Sequence, residues 1–251
     1  MENKKKYLSY NHENFDDIGM ELFKLALSLS YAERTNRILV LNNEKYTNII
    51  DIFIKYKYNN IKIDFTKKNN FNFYIDYDDE NLFIDFTDLK KINYYNDIDN
   101  LISYKIKILL SLLITNNSNY LNFVYNKIND FMNYFKDYNI DNYICMNIKK
   151  TTYDNNYYEK AYYRHFNNKK IIIRCDDIEW AKNNINFVDK SLIIFIESSY
   201  DNRFTDFVLL SFFYNYIIDY DYFSWWITYI SNLEKKSKKI IFPNKIFYLN
   251  T

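Results

Sequence analysis

The sequence predicts an α/β protein whose C-terminal half is built on a doubly wound parallel sheet. After Asn139, short apolar runs recur at Tyr143 to Ile148, Lys170 to Ile173, Leu192 to Ile196, Ile217-Ile218 and Lys239 to Phe242, each separated from the next by a plausible helix. Strands alternating with helices are the pattern of parallel βαβ units. Nearer the N-terminus, an amphipathic segment is followed by Ile38-Leu39-Val40-Leu41, a short buried-strand candidate. The change of texture divides the chain into residues 1–139 and 140–251, with no Pro/Gly linker and no repeat period between them.

In chain order, residues 20 to 34 place Leu22, Leu25, Ala26, Leu29 and Ala32 at helical spacing, with Glu21, Lys24, Glu33 and Arg34 among the other positions. The strand at Ile38 to Leu41 follows, then a helix around Asn48 to Ile54. From about 56 to 95 apolar and polar residues alternate without helical phase, as in Ile61-Lys62-Ile63-Asp64-Phe65, and the segment reads as short strands and loops. Helices are expected near 99 to 114 and 119 to 136, the second with Leu121, Val124, Tyr125, Ile128, Met132 and Phe135 on one side.

The chain of 251 residues contains a single glycine, Gly19, in Asp16-Asp17-Ile18-Gly19-Met20-Glu21-Leu22-Phe23 at the start of the first helix. Asn and Asp take over tight turns in such a background, because both tolerate left-handed backbone angles. A glycine kept there meets either a close approach of backbone to a ligand at the positive end of a helix or the need of a helix-entry turn.

Composition excludes several function classes. A hydrophobic fraction of 48% with 26% charged residues is that of a soluble globular protein, and a net charge of +1 gives no reason to expect nucleic acid or a membrane surface as partner. The basic clusters Lys4 to Lys6 and Lys235 to Lys239 read as a solvated terminus and a loop. Neither Ile106 to Ile114 nor Phe204 to Ile218 is long and apolar enough for a membrane span, and no signal peptide follows Met1, so a cytoplasmic location is expected. Cys145 and Cys175 lie in buried-strand runs and read as packed thiols. His12 and His165 share no metal-ligand spacing with each other or with the cysteines, so no metal site is expected.

Open parallel sheets bind ligands beyond the carboxyl ends of their strands. The residues at those positions are Lys149-Lys150-Thr151-Thr152-Tyr153, Cys175-Asp176-Asp177-Ile178-Glu179-Trp180 and Asp219-Tyr220-Asp221-Tyr222-Phe223-Ser224-Trp225-Trp226, with Gly19 opening the first helix and Pro243, the only proline, ending the last strand. Each has an ordinary structural reading beside a functional one. Ser224 suits a helix N-cap, Asp176 and Asp177 suit a capping pair for the helix through Trp180, and Lys149 and Lys150 suit a solvated loop. Trp225 and Trp226 read as core.

The order of these segments resembles the α-1,2-fucosyltransferase family, glycosyltransferase family 11. The family's Gly-Leu-Gly-Asn-Gln-Leu-Phe-Gln is similar to Asp17-Ile18-Gly19-Met20-Glu21-Leu22-Phe23-Lys24, and its Thr-Asn/Gly-Arg-x-Leu-Val-Leu to Thr35-Asn36-Arg37-Ile38-Leu39-Val40-Leu41. Its Phe-Ser-Asp-Asp-Ile-x-Trp resembles Arg174-Cys175-Asp176-Asp177-Ile178-Glu179-Trp180, and its Asn-Ser-x-Phe-Ser-Trp-Trp resembles Tyr220-Asp221-Tyr222-Phe223-Ser224-Trp225-Trp226. The closing Ile-x-Ala-Pro-x-x-Trp/Phe resembles Ile240-Ile241-Phe242-Pro243-Asn244-Lys245-Ile246-Phe247. The family's His-x-Arg-Arg-x-Asp falls on Asn147-Ile148-Lys149-Lys150-Thr151-Thr152, where the histidine, both arginines and the acid are changed.

The resemblance implies two facing Rossmann-like halves of the GT-B kind, a shortened and irregular acceptor-side half at 1–139 and a nucleotide-sugar-binding half at 140–251. It implies inverting, metal-independent transfer of fucose from a guanosine-diphosphate sugar to a glycan, with the nucleotide sugar as substrate and no cofactor. Leaving-group charge on the phosphates must be met by fixed cations and N–H donors. Lys149 and Lys150 are the cations on offer, lacking the planar fork of arginine. Asp154, Asp176, Asp177, Asp16 and Asp17 are the carboxylates that could take the acceptor's proton. Donor contacts are expected from Gly19, Asn147, Asp176, Asp177, Tyr222, Phe223 and Ser224, and catalytic roles from Lys149, Lys150 and Asp154. The alternative is a relative that has lost turnover and serves as a binding or scaffolding module.

Overall fold

Residues 7–10, 18–40, 63–64, 81–84, 118–197, 203–219, 221–233 and 239–243 are described by the structure, a computed structural model. The expected helices at 48–54 and 99–114, and most of the segment from 56 to 95, lie outside these residues. The chain divides into two units, residues 1–16 with 20–117 and residues 17–19 with 118–251.

In the first unit β1 (Tyr7–Tyr10) pairs in parallel with β2 (Ile38–Val40) and β4 (Asn81–Ile84), and β2 pairs with β3 (Ile63–Asp64), giving the order β3-β2-β1-β4. The central strand β1 is absent from the sequence expectation, because Tyr-Leu-Ser-Tyr has no apolar run; its Leu8 is nonetheless fully buried. Helix α1 (Ile18–Thr35) buries Leu22, Leu25, Ala26, Leu29 and Ala32, the stripe its spacing predicts. It ends at Asn36, whose φ of 52° lets Arg37 N–H reach Ala32 O at 2.9 Å and Asn36 N–H reach Glu33 O at 3.4 Å. Here Asn does the work usually left to Gly at a helix C-terminus.

In the second unit α2 (Ser118–Phe135) buries Val124, Ile128 and Phe131 and packs on α5 (Arg203–Ser211). Tyr125, expected on the apolar side, is 53% exposed, with its ring set edge-on against Phe212 at 5.8 Å. Val124, Ile128, Phe131 and Phe135 form the stripe that faces inward at helical spacing, and Tyr125 stands at its margin.

The second sheet contains β5 (Tyr143–Ile148), β6 (Lys170–Cys175), β7 (Ile193–Ile196), β8 (Asn215–Ile218) and β9 (Lys239–Ile241), all parallel, in the order β7-β6-β5-β8-β9. Every residue of β5 is buried, as a central strand covered on both faces must be. On one face Ile144, Met146, Ile148, Ile171, Ile173 and Ile217 pack with Tyr158, Ala161 and Tyr162 of α3 (Asn155–His165) and Ala181 of α4 (Ile178–Asn184). On the other, Tyr216 donates its hydroxyl to Leu210 O and Phe213 O, tying β8 to the end of α5. Helix α6 (Tyr222–Leu233) packs on α5, with Phe207 and Phe223 rings edge-to-face at 5.2 Å. Each large apolar side chain buried here contributes about 1.5–3 kcal/mol.

Candidate functional site

The chain leaves β5 toward β6 and β7 on one side, then crosses to β8 and β9 on the other, so strand order reverses between β5 and β8. At such a reversal the connections leave in opposite directions and a crevice opens at the carboxyl ends. Tyr157 hydroxyl donates to Ile218 O at 2.8 Å and Ile241 O at 3.0 Å, fixing the ends of β8 and β9 beside it.

Asn147, near the end of β5 and fully buried, is the hub. Its Nδ2 donates to Asp221 Oδ2 and to Ser224 Oγ, both at 2.9 Å, and its Oδ1 accepts from Arg174 Nη1 at 2.9 Å. The amide orientation follows from this network, since the oxygen must face the guanidinium and the NH2 the carboxylate. Asp221 caps α6 by accepting Ser224 N–H at 2.6 Å, and its second oxygen takes the Ser224 hydroxyl at 3.1 Å. Ser224, expected either as cap or as phosphate donor, is the third residue of the helix and is itself capped. Across the crevice, Thr152 after β5 donates its hydroxyl to Asp219 after β8.

Arg174 stands in register with Asn147 on the neighbouring strand, with its guanidinium 4.2 Å over the Phe223 ring. Sequence reasoning did not single it out. One signal was available: arginine is scarce in a Lys-rich chain, and this one interrupts the apolar run Ile171-Ile172-Ile173 at its carboxyl end. Asp219, Asp221 and Thr152 were likewise missed as site residues, since their pairing depends on strands far apart in sequence.

The remaining expected residues fall in three places. Lys150 donates from Nζ to Asp177 Oδ2 at 2.8 Å and from its backbone N–H to Asp176 Oδ1 at 2.8 Å, joining the loops after β5 and β6. The Asp177 bond raises the lysine above its usual pKa, and the Lys150 bond, followed by that from Trp180 N–H, lowers Asp177 below the usual carboxylate range. Asp177 also caps α4 through Trp180 N–H at 2.9 Å. Lys149 precedes the 3-10 turn Lys150–Thr152 and is half-buried. Asp154 is exposed and caps α3 through Asn156 N–H and Tyr157 N–H. Asp16 and Asp17 lie outside the described residues.

Gly19 is the second residue of α1. Its φ is not positive, and a β-carbon built on it would lie 2.2 Å from Phe223 N, 2.5 Å from Phe223 Cα and 2.5 Å from Tyr222 C. The close approach is to the backbone at the start of α6. Gly19, Tyr222, Phe223 and Ser224 are thereby brought together, and Asn147 joins them through Ser224.

Both cysteines are free and buried, and burial pushes the Cys175 thiol up to about 11. Among the described residues no group of three or more His, Cys, Asp or Glu side chains is placed to hold a metal ion, and no helix is long and apolar enough to cross a membrane.

No protein-family model and no curated protein sequence matches the chain. Among solved structures, that of NodZ alpha-1,6-fucosyltransferase soaked with GDP-fucose is similar at a TM-score of 0.52 and 11% identity, covering 90% of this chain and 93% of that one. A point mutant of FUT1 from Arabidopsis thaliana in complex with GDP is similar at a TM-score of 0.48 and 12% identity, covering 97% of this chain and 72% of that one. The chain has a GT-B-like fucosyltransferase fold with a five-stranded parallel sheet.

Proposed function

We propose that the protein is a cytoplasmic, metal-independent, inverting glycosyltransferase of the α-1,2-fucosyltransferase kind, carrying fucose from GDP-fucose to a glycan hydroxyl. The observation that carries this reading is convergence. Segments around Gly19, Asn147 and Ser224, distant in sequence and each similar in position to a family motif, meet at the carboxyl edge of a sheet whose strand order reverses there. The fold shared with NodZ alpha-1,6-fucosyltransferase supports it.

In this reaction the acceptor oxygen bonds to the anomeric carbon as the bond from that carbon to the diphosphate oxygen breaks. The electron pair goes to the phosphate and the acceptor proton to a carboxylate. Lys149 and Lys150 follow β5 directly and supply positive charge to the departing diphosphate, Lys150 by exchanging Asp177 for phosphate. Both partners of that ion pair are partly exposed, so the exchange is inexpensive. Gly19, Asn147, Tyr222, Phe223 and Ser224 shape the donor seat, Asp176 and Asp177 face the nucleoside, and Asp154 takes the proton.

A second reading, a module that binds without turnover, is favoured by Asp221. Its carboxylate holds both the N–H and the hydroxyl of Ser224, donors that a phosphate would otherwise use. At an effective dielectric of about 20, a phosphate charge about 4 Å from that carboxylate costs about 4 kcal/mol. Calorimetry with GDP and a transfer assay with GDP-fucose on a panel of glycans separate the readings. Nucleotide binding with transfer supports the enzyme, binding without transfer the module, and no heat at millimolar GDP overturns both.

A further inference from the structure

We propose that Arg174 is the residue that grips the phosphate oxygens of the nucleotide-sugar donor, an inference that rests on the donor class assigned above. Arg174 is the next-to-last residue of β6, beside the strand-order reversal, and pairs in register with Asn147 of β5. Three features define its side chain. The Nη1 donates to Asn147 Oδ1 at 2.9 Å, and the guanidinium lies 4.2 Å over the Phe223 ring. The Nε is buried and has no hydrogen-bond partner among the described residues.

A buried donor without an acceptor is rare enough to require a reason, and an absent ligand is one. Asn147 cannot adjust to serve it, because its own NH2 is fixed by Asp221 and Ser224. The guanidinium is therefore held on one edge and across one face, while the edge carrying Nε–H has no acceptor. That edge presents two parallel N–H donors with the spacing of two oxygens on one phosphate, a geometry lysine lacks.

The other donors nearby are less suited. Ser224 N–H and hydroxyl are taken by Asp221, and Lys150 Nζ is paired with Asp177. Arg174 also offsets the Asp221 charge through Asn147, so an entering diphosphate meets a fixed cation as well as the carboxylate.

The test is calorimetry on the full chain with GDP and with guanosine, for wild type, Arg174→Gln and Arg174→Lys. Losing a charge-assisted bidentate contact weakens GDP binding ~10–100-fold, and guanosine binding is expected to stay unchanged in both variants. Arg174→Lys keeps the charge and stem, so it decides the matter if Arg174→Gln does not fold. Equal GDP affinity in wild type and the lysine variant overturns the Arg174 assignment and leaves the donor class standing. A parallel loss for GDP and guanosine makes Arg174 a structural prop and also overturns it. Absence of GDP binding by wild type overturns the assignment together with the donor class.

Discussion

Replacing Gly19 by Ala tests the contact between Gly19 and the start of α6, both within the second unit. In most helices this change is stabilising, since alanine loses less backbone entropy, by about 0.5–1 kcal/mol. Here the added carbon would stand 2.2 Å from Phe223 N and 2.5 Å from both Phe223 Cα and Tyr222 C, all main-chain atoms. Ordinary carbon contacts lie at about 3.5–4.0 Å, so the start of α6 must move by more than an ångström. It cannot move alone, because Asp221 and Ser224 bond there to the fully buried Asn147. Overpacking of this kind costs about 1–3 kcal/mol, which exceeds the helix gain. We expect Gly19→Ala to lower the urea midpoint, followed by circular dichroism, with little change of slope, and to weaken GDP binding. A variant as stable as wild type or more so would refute the reasoning, because no relaxed backbone could then be as close as the structure places it.

Asn147→Leu removes a partner from Asp221, Ser224 and Arg174 at once while keeping the volume, and should cost about 3–5 kcal/mol in chemical unfolding; a cost below about 1 kcal/mol would show that the network contributes little. In carbon-detected titration Asp177 should protonate below the usual carboxylate range, and Asp177→Asn should return Lys150 to its ordinary value. The sign follows from the shifts. The lowered Asp177 gives stability present above its unfolded pKa and lost as pH falls through the folded value, whereas the raised Lys150 gives stability present below its unfolded pKa and lost as pH rises through its folded value. High salt should shrink both shifts, and an Asp177 that titrates normally at low salt would remove the ion pair from the account. Cys145 and Cys175 should resist a disulfide reagent at pH 8 in the native protein and react in denaturant, since burial raises both thiols; rapid native labelling of Cys175 would contradict its placement.

The C-terminal sheet was legible because parallel strands covered on both faces read as unbroken apolar runs, as in Tyr143 to Ile148 and Lys170 to Ile173. Of the three described residues at positive φ, Asn36 and Asn168 follow the expected turn chemistry and Lys136 does not. Strand β1 was not legible, because two of its four residues are tyrosine and one is serine, and its central place depends on pairing with β2 and β4. Asp177 shows its helix-start role in the sequence because a cap is a local matter of three residues. The Arg174–Asn147–Asp221 network is not local. It needs the register of β5 on β6 and the seat of α6, and no window of sequence contains either.

That network also bears on the resemblance to the α-1,2-fucosyltransferase motifs. In that resemblance Asn147, Arg174 and Asp221 fall where the motifs carry His, Phe and Ser. In space Asn147 bonds to both of the others. Asp221 suits the helix start as a cap, but burying its carboxylate, or a guanidinium among apolar strand ends, is costly without further partners. Asn147 reconciles them, since a primary amide offers an acceptor on one side and two donors on the other, which a neutral imidazole cannot do for three partners. The three side chains therefore act as one bonded unit, and the positive charge of Arg174 at the end of β6 adds to that of Lys149 and Lys150 in the loop after β5.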